Sequence, residues 1–323
     1  MRRRDLVLAF GAASLGGARR LHAQPSPARV GMMFWGDRTV SAAVLTEIAN
    51  GLAALGHREG ANLAIETRWA EFSRERAEHQ ARELAARCAV IVAQGPASFA
   101  AAVVAPQVPL VIAFSGDPVE AGFTSGWTQP DKGITGISFL ALDLVGKRLE
   151  LLKEVVPQAT RIAVIANPAH AGMRSEFAAS HAAATRLGLE ISRHEVREPS
   201  QLGDVLAATH AARAEAIDVF PDALVTLVAD RLAAFSHADR VPIVSGWASF
   251  AHAGNLLSYG PNLRSAHRRV AYFVDRILRG ARPADLPFEL PREVELVVNL
   301  RTARILGIAV PPGILLRADE VIE

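Results

Sequence analysis

Residues 88–118, CAVIVAQGPASFAAAVVAPQVPLVIAFSGDP, contain two short apolar runs on either side of an alanine-rich stretch. The runs at 90–93 and 109–114 have the length and β-branched content of buried strands, whereas 96–104 has room for a short helix. Strands that alternate with helices in this way are typical of a mainly parallel sheet. This stretch therefore predicts a βαβ unit and an α/β fold.

The same alternation extends in both directions along the chain. It predicts earlier strands at 30–34 and 62–68, with helices at 40–55 and 74–87. The pattern restarts near residue 142, and one doubly wound sheet rarely holds so many units, so two lobes with separate sheets are expected. In the second lobe, helices are predicted at 142–155, 173–187, 200–212 and 223–238, and strands at 161–166, 189–196, 216–220 and 242–244.

The C-terminal quarter is predicted to connect the two lobes again. It contains a candidate strand at 255–258, a helix at 265–279 and a strand at 294–299. If the helix returns to the first lobe and the last strand to the second, three segments cross between the lobes and form a hinge. The expected lobes are residues 28–121 plus 258–287 and residues 140–252 plus 293–323.

The N-terminus has the features of an export signal. Three arginines, Arg2 to Arg4, precede an apolar run at 6–15, and Leu21-His22-Ala23 resembles a cleavage site. We therefore predict a signal peptide over 1–23 and a periplasmic mature protein. The paired arginines are compatible with the twin-arginine route and with the general secretory route. The absence of a cysteine at the predicted cleavage point argues against a lipid anchor.

Charge and cysteine content exclude several classes of function. The chain has 35 Lys and Arg and 33 Asp and Glu; the predicted signal removes five Arg and one Asp, which leaves 30 against 32, a net charge of −2. Such a balance gives no electrostatic footprint for nucleic acid or anionic lipid. No apolar window is long enough to span a membrane. Cys88, the only cysteine, cannot form an intramolecular disulfide and is expected to be a small buried hydrophobe.

Ligands of open α/β sheets bind at the carboxyl ends of the strands. The residues that follow the predicted strands are polar, small or aromatic, and are suited to holding a small molecule. Asp117 and Asp222 have a second interpretation as helix caps, Asn167 as the start of a turn, and Tyr259 as a hinge residue. The candidate ligand-binding residues are Trp35, Gly36, Gly95, Ser98, Ser115, Gly116, Asp117, Asn167, Asp222, Ser245, Trp247 and Tyr259.

No catalytic or cofactor motif accompanies these residues. The predicted mature chain contains no G-x-G-x-x-G after a strand, no phosphate loop, no G-x-S-x-G elbow and no H-E-x-x-H. Its histidines are scattered without metal-ligand spacing, and His170 and His252, near strand ends, are interpreted as peripheral. Binding without catalysis, cofactor or metal is therefore the favoured interpretation.

Short motifs distributed along the whole chain resemble those of the ABC-transporter substrate-binding proteins related to the tryptophan/phenylalanine-binding proteins called TrpX. The resemblance implies a type I periplasmic-binding fold, with two Rossmann-like lobes, three crossovers and a ligand clamped between them. Two stretches depart from the family pattern, QPDK at 129–132 and the bulky exit FWG at 34–36. The matching motifs are GHREGAN (56–62), IETRWAE (65–71), GDPV (116–119), GITG (133–136), KRLELL (147–152), IANP (165–168), SYGP (258–261), NL (299–300) and RADE (317–320).

The predicted function is therefore capture of a small organic solute, with an aromatic or branched-chain amino acid as the first expectation, for delivery to an ABC permease. Ser115 and Asp117 are expected to hold a polar end of the solute while Trp35 or Trp247 covers its apolar part. A periplasmic sensory subunit and an exported enzyme remain alternatives, which neighbouring genes would distinguish. A LacI-type regulator would need a helix-turn-helix where this chain has an export signal.

Overall fold

The computed structural model describes residues 27–140 and 142–323, so the predicted signal peptide lies outside the described residues. Two sheets are present in that part of the chain, and each is covered by helices. No described helix combines the length and the apolar character needed to cross a bilayer.

The first sheet has five parallel strands in the order β2-β1-β3-β4-β5. Its strands are short and mostly buried on both faces, as expected for parallel strands between helical layers. The elements of this part of the chain are β1 (Ala28–Phe34), α1 (Arg38–Ala54), β2 (Leu63–Trp69), α2 (Arg74–Ala85), β3 (Val90–Gln94), α3 (Ala97–Val104), β4 (Leu110–Phe114) and β5 (Ile134–Ser138).

Strand β5 was not predicted, because its sequence contains glycine and resembles a turn. Gly136 has φ of +145°, and a Cβ atom there would lie 2.0 Å from the carbonyl oxygen of Ile112 in β4. Glycine therefore permits a close approach of the two backbones that a side chain would prevent. Cys88, just before β3, is buried, and burial raises the pKa of its thiol to about 11, in line with the predicted inert role.

The second sheet has seven strands in the order β12-β11-β10-β9-β8-β6-β7, and only the β10–β11 pair among them is antiparallel. Its first part contains α4 (Leu142–Val155), β6 (Arg161–Ala166), α5 (Met173–Leu187), β7 (Glu190–Glu195), α6 (Leu202–Ala211), β8 (Ala216–Val219), α7 (Ala223–Thr226), α8 (Ala229–Asp239), β9 (Ile243–Ser245), α9 (Ala248–His252) and β10 (Leu257–Pro261). The rest of the chain contains α10 (Leu263–Leu278), β11 (Val294–Asn299), α11 (Leu300–Leu306), α12 (Pro312–Leu315) and β12 (Glu320–Ile322), of which β11 and β12 complete the second sheet.

Helix α10 leaves the second lobe and packs on the first. Its buried residues Val270, Phe273 and Val274 join the apolar core formed by β1 and α1. Full burial of one such side chain contributes roughly 1.5–3 kcal/mol. The chain thus crosses between the lobes after β5, after β10 and before β11, which gives the expected three-crossover hinge.

The position of β10 differs from the prediction. The returning segment of the first lobe was expected to begin at residue 258, but β10 lies in the second sheet, where Leu257 pairs with Val244 on one side and Val298 on the other. The return to the first lobe begins with α10. At its start the Asn262 side chain accepts from the Ser265 amide and donates to Glu295, so it links two of the crossing segments.

Candidate functional site

The main candidate site is a cavity of about 630 Å³ between the two lobes. The first lobe contributes the N-terminal part of α1 and the exits of β1 and β3, the second lobe contributes α7 and α9, and the start of α10 closes the hinge end. A volume in this range suits a small organic molecule. Because both lobes line the cavity, a bound molecule would contact both at once.

A smaller cavity of about 370 Å³ lies outside the gap, between α1, α10 and the third crossing segment. Its most prominent cation, Arg269, donates two hydrogen bonds to Glu289 at 2.9 and 2.7 Å and stacks on Tyr272. The guanidinium is thus committed to a local ion pair. The interlobe cavity remains the better candidate.

Aromatic side chains form much of the wall of the interlobe cavity. Trp35, Phe72 and Phe139 come from the first lobe and Trp247 from the second. Phe72 is 38% exposed and stands on a turn in which both it and Glu71 have positive φ, 62° and 49°. Its amide donates to the carbonyl of Trp35 at 2.8 Å. A bulky residue held in this costly conformation next to a cavity is a feature of ligand sites.

Of the residues predicted from the sequence, Trp35, Gly36 and Trp247 line the cavity. Gly95 lies just behind the wall: its neighbour Gln94 lines the cavity, and a Cβ at Gly95 would be 3.8 Å from that of Trp35. The first-strand exit, the third-strand exit and the loop before α9 therefore meet in space as the strand-end rule predicts.

Three predicted residues are not brought to the cavity. Ser98 and Ser245 are fully buried, and their hydroxyls donate to the carbonyls of Ala93 and Val219 within their own lobes. Tyr259 packs against the apolar core of the second lobe. The prediction that these three residues contact the ligand is therefore corrected, because the two hydroxyls are used in hydrogen bonds within one lobe and the Tyr259 ring packs in the core of one lobe.

The loop after β4 packs against the second lobe. A Cβ at Gly116 would lie 2.8 Å from the Cβ of Ala171 and 2.8 Å from the Phe114 ring. The two lobes therefore touch at Gly116 and leave no room there for a solute. The Ser175 hydroxyl lies 3.3 Å from both carboxylate oxygens of Glu120, across the gap. We call this contact, formed by residues 115–120 and 167–176, the packed half of the gap, and the cavity the open half.

Asp117 holds a turn within the packed half. Its Oδ1 accepts from the amides of Val119 and Glu120 at 2.7 and 3.1 Å, and its Oδ2 accepts from Trp127 Nε1 at 3.2 Å. Both carboxylate oxygens are therefore engaged with the first lobe itself. Asp117 and its neighbour Ser115 are outside the cavity lining. The expected helix cap is not formed either, because residues 118–122 make a turn and not a helix, and Asp117 instead holds that turn.

Asn167, which follows β6, and Asp222, which follows β8, are hydrogen-bonded to each other within the second lobe. Asn167 Nδ2 donates to Asp222 Oδ2 at 2.6 Å. Asn167 Oδ1 accepts from the Ala169 amide, and Asp222 Oδ1 accepts from the Val225 amide at 2.7 Å. The turn and capping alternatives are thus both realised, and neither residue lines the cavity.

A buried ionisable cluster lies beneath the packed half. Arg148 donates to Asp218 at 2.6 and 3.3 Å, with both side chains almost completely buried. Burial raises the pKa of nearby Glu176 to about 8, against the opposing charge of Arg148, so this carboxyl is protonated at neutral pH. His170 lies 3.6 Å from Glu176, and burial lowers its pKa. The cluster lies within the second lobe, and two of its members, His170 and Glu176, belong to the packed half.

Several cavity residues were missed because they lie on helices and not at strand exits. Ser41 and Glu47 are on α1, and His267 is on α10. The signal for His267 was present, since it falls on the apolar stripe at 263, 266, 267, 270 and 274, where a histidine is expected to be buried. Its position relative to a cavity requires the packing of α10 on the first lobe.

Comparison with known proteins gives matches over most of the chain. A family profile described as ABC transporter substrate binding protein matches residues 40–322. The tyrosine-binding protein of Clostridioides difficile (strain R20291) is 22% identical over 212 residues, which is 65% of this chain. That match spans 60% of the relative's own length.

Solved structures share the whole fold. A conserved domain protein from Vibrio cholerae O1 biovar El Tor has a TM-score of 0.84 and 25% identity, covering 91% of this chain and 99% of that one. An ABC domain from Streptococcus pneumoniae, solved in complex with L-Trp, has a TM-score of 0.85 and 21% identity, covering 92% and 100%. The predicted type I periplasmic-binding fold is confirmed.

Proposed function

The chain belongs to the family of ABC transporter substrate-binding proteins, and from that premise we propose that it binds an aromatic amino acid between its lobes and delivers it to a membrane permease. The observation that carries the proposal is the open half of the gap, which both lobes line with aromatic side chains. The resemblance recognised in the sequence is confirmed by the family match over residues 40–322.

The character of the cavity favours an aromatic solute over a branched-chain one. Trp35 and Trp247 approach from opposite lobes, and Phe72 and Phe139 extend the apolar surface. Aromatic rings gain from offset and edge-on contacts with one another beyond the area that they bury. The names of two similar proteins, one tyrosine-binding and one solved with L-Trp, support the same class of solute.

The mechanism that follows is a population shift between open and closed lobes. A solute between Trp35 and Trp247 makes its full set of contacts only when the lobes are together, so binding favours the closed form. The permease would recognise this closed form. Rotation would occur at the three crossing segments, two of which are linked near the cavity by the bond between Asn262 and Glu295.

The proposal includes export and release of the solute unchanged. Residues 1–23 are the proposed signal. The cavity lining combines aromatic and small side chains with a few charged ones, among which His252 pairs with Glu320 at 3.0 Å. Cell fractionation with N-terminal sequencing tests the export step. Native mass spectrometry of protein purified from its own periplasm tests the solute directly, because a copurified molecule would identify it.

Isothermal titration with L-Trp, L-Tyr, L-Phe, L-Leu and L-Ile tests the binding step. Trp35→Ala and Trp247→Ala should each raise the Kd for the preferred solute about tenfold or more, since buried tryptophans are frequent binding hot spots. Trp127→Phe is the matched control, because Trp127 bonds to Asp117 outside the cavity. The absence of binding by every aromatic amino acid, or an unchanged Kd in both alanine variants, would contradict the proposal.

A further inference from the structure

The hinge end of the open half contains a buried histidine with an unused hydrogen-bond acceptor. His267 lines the cavity, is 5% exposed, and its Nε2 atom has no hydrogen-bond partner. A buried polar atom without a partner costs free energy, so native structures normally satisfy it with protein, water or ligand.

The protonation state of His267 makes Nε2 an acceptor. The ring donates to the backbone carbonyl of Leu263, one turn earlier in α10, and Nδ1 is that donor because Nε2 has no partner. Burial lowers the pKa of His267 to about 4, against the opposing effects of the Leu263 carbonyl and Glu47. The ring is therefore neutral at physiological pH, with a lone pair on Nε2.

The groups that surround the His267 ring do not satisfy this acceptor. Phe139 packs edge-on against the ring, with centroids 5.0 Å apart, and offers no donor. Glu47, the nearest carboxylate on α1, is paired with Arg268 at 2.6 Å and Arg264 at 3.6 Å. The nearby cations are thus engaged with Glu47.

We propose that His267 Nε2 accepts a hydrogen bond from an N–H or O–H group on the aromatic ring of the solute, and so selects donor-bearing rings over phenylalanine. This inference rests on the proposed function, since it assigns the end of the cavity that the side chain of the amino acid occupies. A histidine kept only for packing would be replaced there by an apolar ring without loss, whereas a specificity residue requires the lone pair. Sites built around a polar partner discriminate strongly against analogues that lack it.

A two-by-two comparison of solute and side chain tests the inference. Isothermal titration would measure L-Tyr against L-Phe, and L-Trp against 1-methyl-L-tryptophan, on the wild-type chain and on His267→Phe. In at least one pair the wild type should prefer the donor-bearing solute by about tenfold, and His267→Phe should reduce that ratio to about one. His267→Gln, which keeps an acceptor, should retain part of the preference.

A second measurement uses the wild-type protein, so that it tests the inference even if the His267 variants do not fold. With ¹⁵N-labelled histidine, the Nε2 resonance of His267 should move toward the value of a hydrogen-bonded nitrogen when the donor-bearing solute binds, and should stay in place with its donor-free analogue. Equal ratios in the wild type and His267→Phe for both pairs, or a resonance that does not move, would overturn the inference while leaving the proposed function intact. Failure of all aromatic amino acids to bind would overturn both.

Discussion

Both halves of the interlobe gap are formed by residues that follow β-strands, yet in one half these residues pack together and in the other they line a cavity. In the packed half, the residues after β4 and β6 bond within their own lobes: Asp117 accepts from the amides of its own turn, and Asn167 donates to Asp222, the residue that caps α7. In the open half, the exits of β1 and β3 face a cavity. A polar residue at a strand exit is therefore a candidate for either role, and its local bonds decide between them.

The origin of the lining residues also differs between the halves. The packed half is built from loops that follow strands, with the Arg148–Asp218 pair buried beneath it. The open half depends on side chains of α1 and α10, two helices separated by more than 200 residues in sequence. Ligand selectivity is thus expected to depend on helix packing as much as on loop sequence.

The largest expected effect comes from breaking the buried ion pair beneath the packed half. Arg148→Leu should lower the free energy of unfolding by about 3–5 kcal/mol, because Asp218 is left buried without its partner. Arg317→Leu, which removes an exposed pair with Glu154, is the control and should cost less than about 1 kcal/mol. Urea unfolding at pH 7 measures both. Similar losses in the two variants would show that the buried pair gives no special support.

The buried histidines of the two halves should each contribute a loss of stability in acid, whereas Glu176, whose pKa burial raises to about 8, contributes an opposing gain as pH falls toward 4.5. The pKa of His267 is about 4 when folded and near 6.5 when unfolded, so the unfolded chain binds the extra proton in between and the free energy of unfolding falls as pH drops from 6.5 toward 4. For His267 the loss is on the order of 3 kcal/mol. His170, whose pKa burial also lowers, acts in the same direction.

Unfolding curves between pH 7 and 4 check this expectation. His267→Gln should show a smaller loss of stability with acid than the wild type, and His170→Gln should also reduce the loss. His79→Gln, at an exposed position, is the control and should follow the wild type. An acid-induced loss that is the same in all three variants would place the sensitivity elsewhere in the molecule.

A methyl group at Gly116 should hold the two lobes apart in the packed half. In Gly116→Ala the added Cβ would meet Ala171 and Phe114 at 2.8 Å, so closure of the packed half should be hindered and stability should fall by about 1–3 kcal/mol. The affinity for the solute should fall as well, and small-angle scattering should show a more open molecule with solute present. Gly126→Ala, where nothing lies within 4 Å, is the control. Unchanged affinity would mean that the packed half is not part of the closed state.

The smallest effect should come from the Asp117 turn in the packed half. Asp117→Ala removes the acceptor for two amides and the Trp127 ring, and should cost about 1 kcal/mol of stability. Its Kd for the solute should equal that of the wild type, because Asp117 does not line the cavity. A Kd increase much larger than the effect on stability would restore Asp117 to the binding site.

Most of the architecture was predictable because it follows from local patterns. Segments of three to eight residues with apolar or alternating patterns marked ten of the strands, and the amphipathic pattern at 265–279 predicted helix α10. The return of α10 to the first lobe was a condition of the expected hinge and did not follow from that pattern. Strand β5 was missed because glycine at 133 and 136 resembles a turn, although Gly136 is needed for its contact with β4. Strand β12, three residues long, carries too little sequence for any pattern.

The site was predictable only in part, for a different reason. The strand-end rule selected Trp35, Gly36 and Trp247, which line the cavity. It gave no means to separate them from Ser98 or Ser245, whose hydroxyls bond to carbonyls within one lobe. Whether such a residue lines the cavity depends on the direction of its side chain and on whether a nearby backbone group needs its hydrogen bond. For His267 and Glu47, tertiary packing alone brings the residues to the cavity.

The return of α10 to the first lobe also sets the order in which the chain can mature. A ribosome or an export channel delivers residues 27–140 early, yet the apolar face that β1 and α1 need is supplied by residues 263–278. Until that helix emerges, the core that Ile48 and Leu52 share with α10 is incomplete, so the first lobe to be synthesised is completed late. A truncated chain ending near residue 140 should consequently be insoluble on its own, and a carrier that shields this face would be needed for as long as the helix is missing.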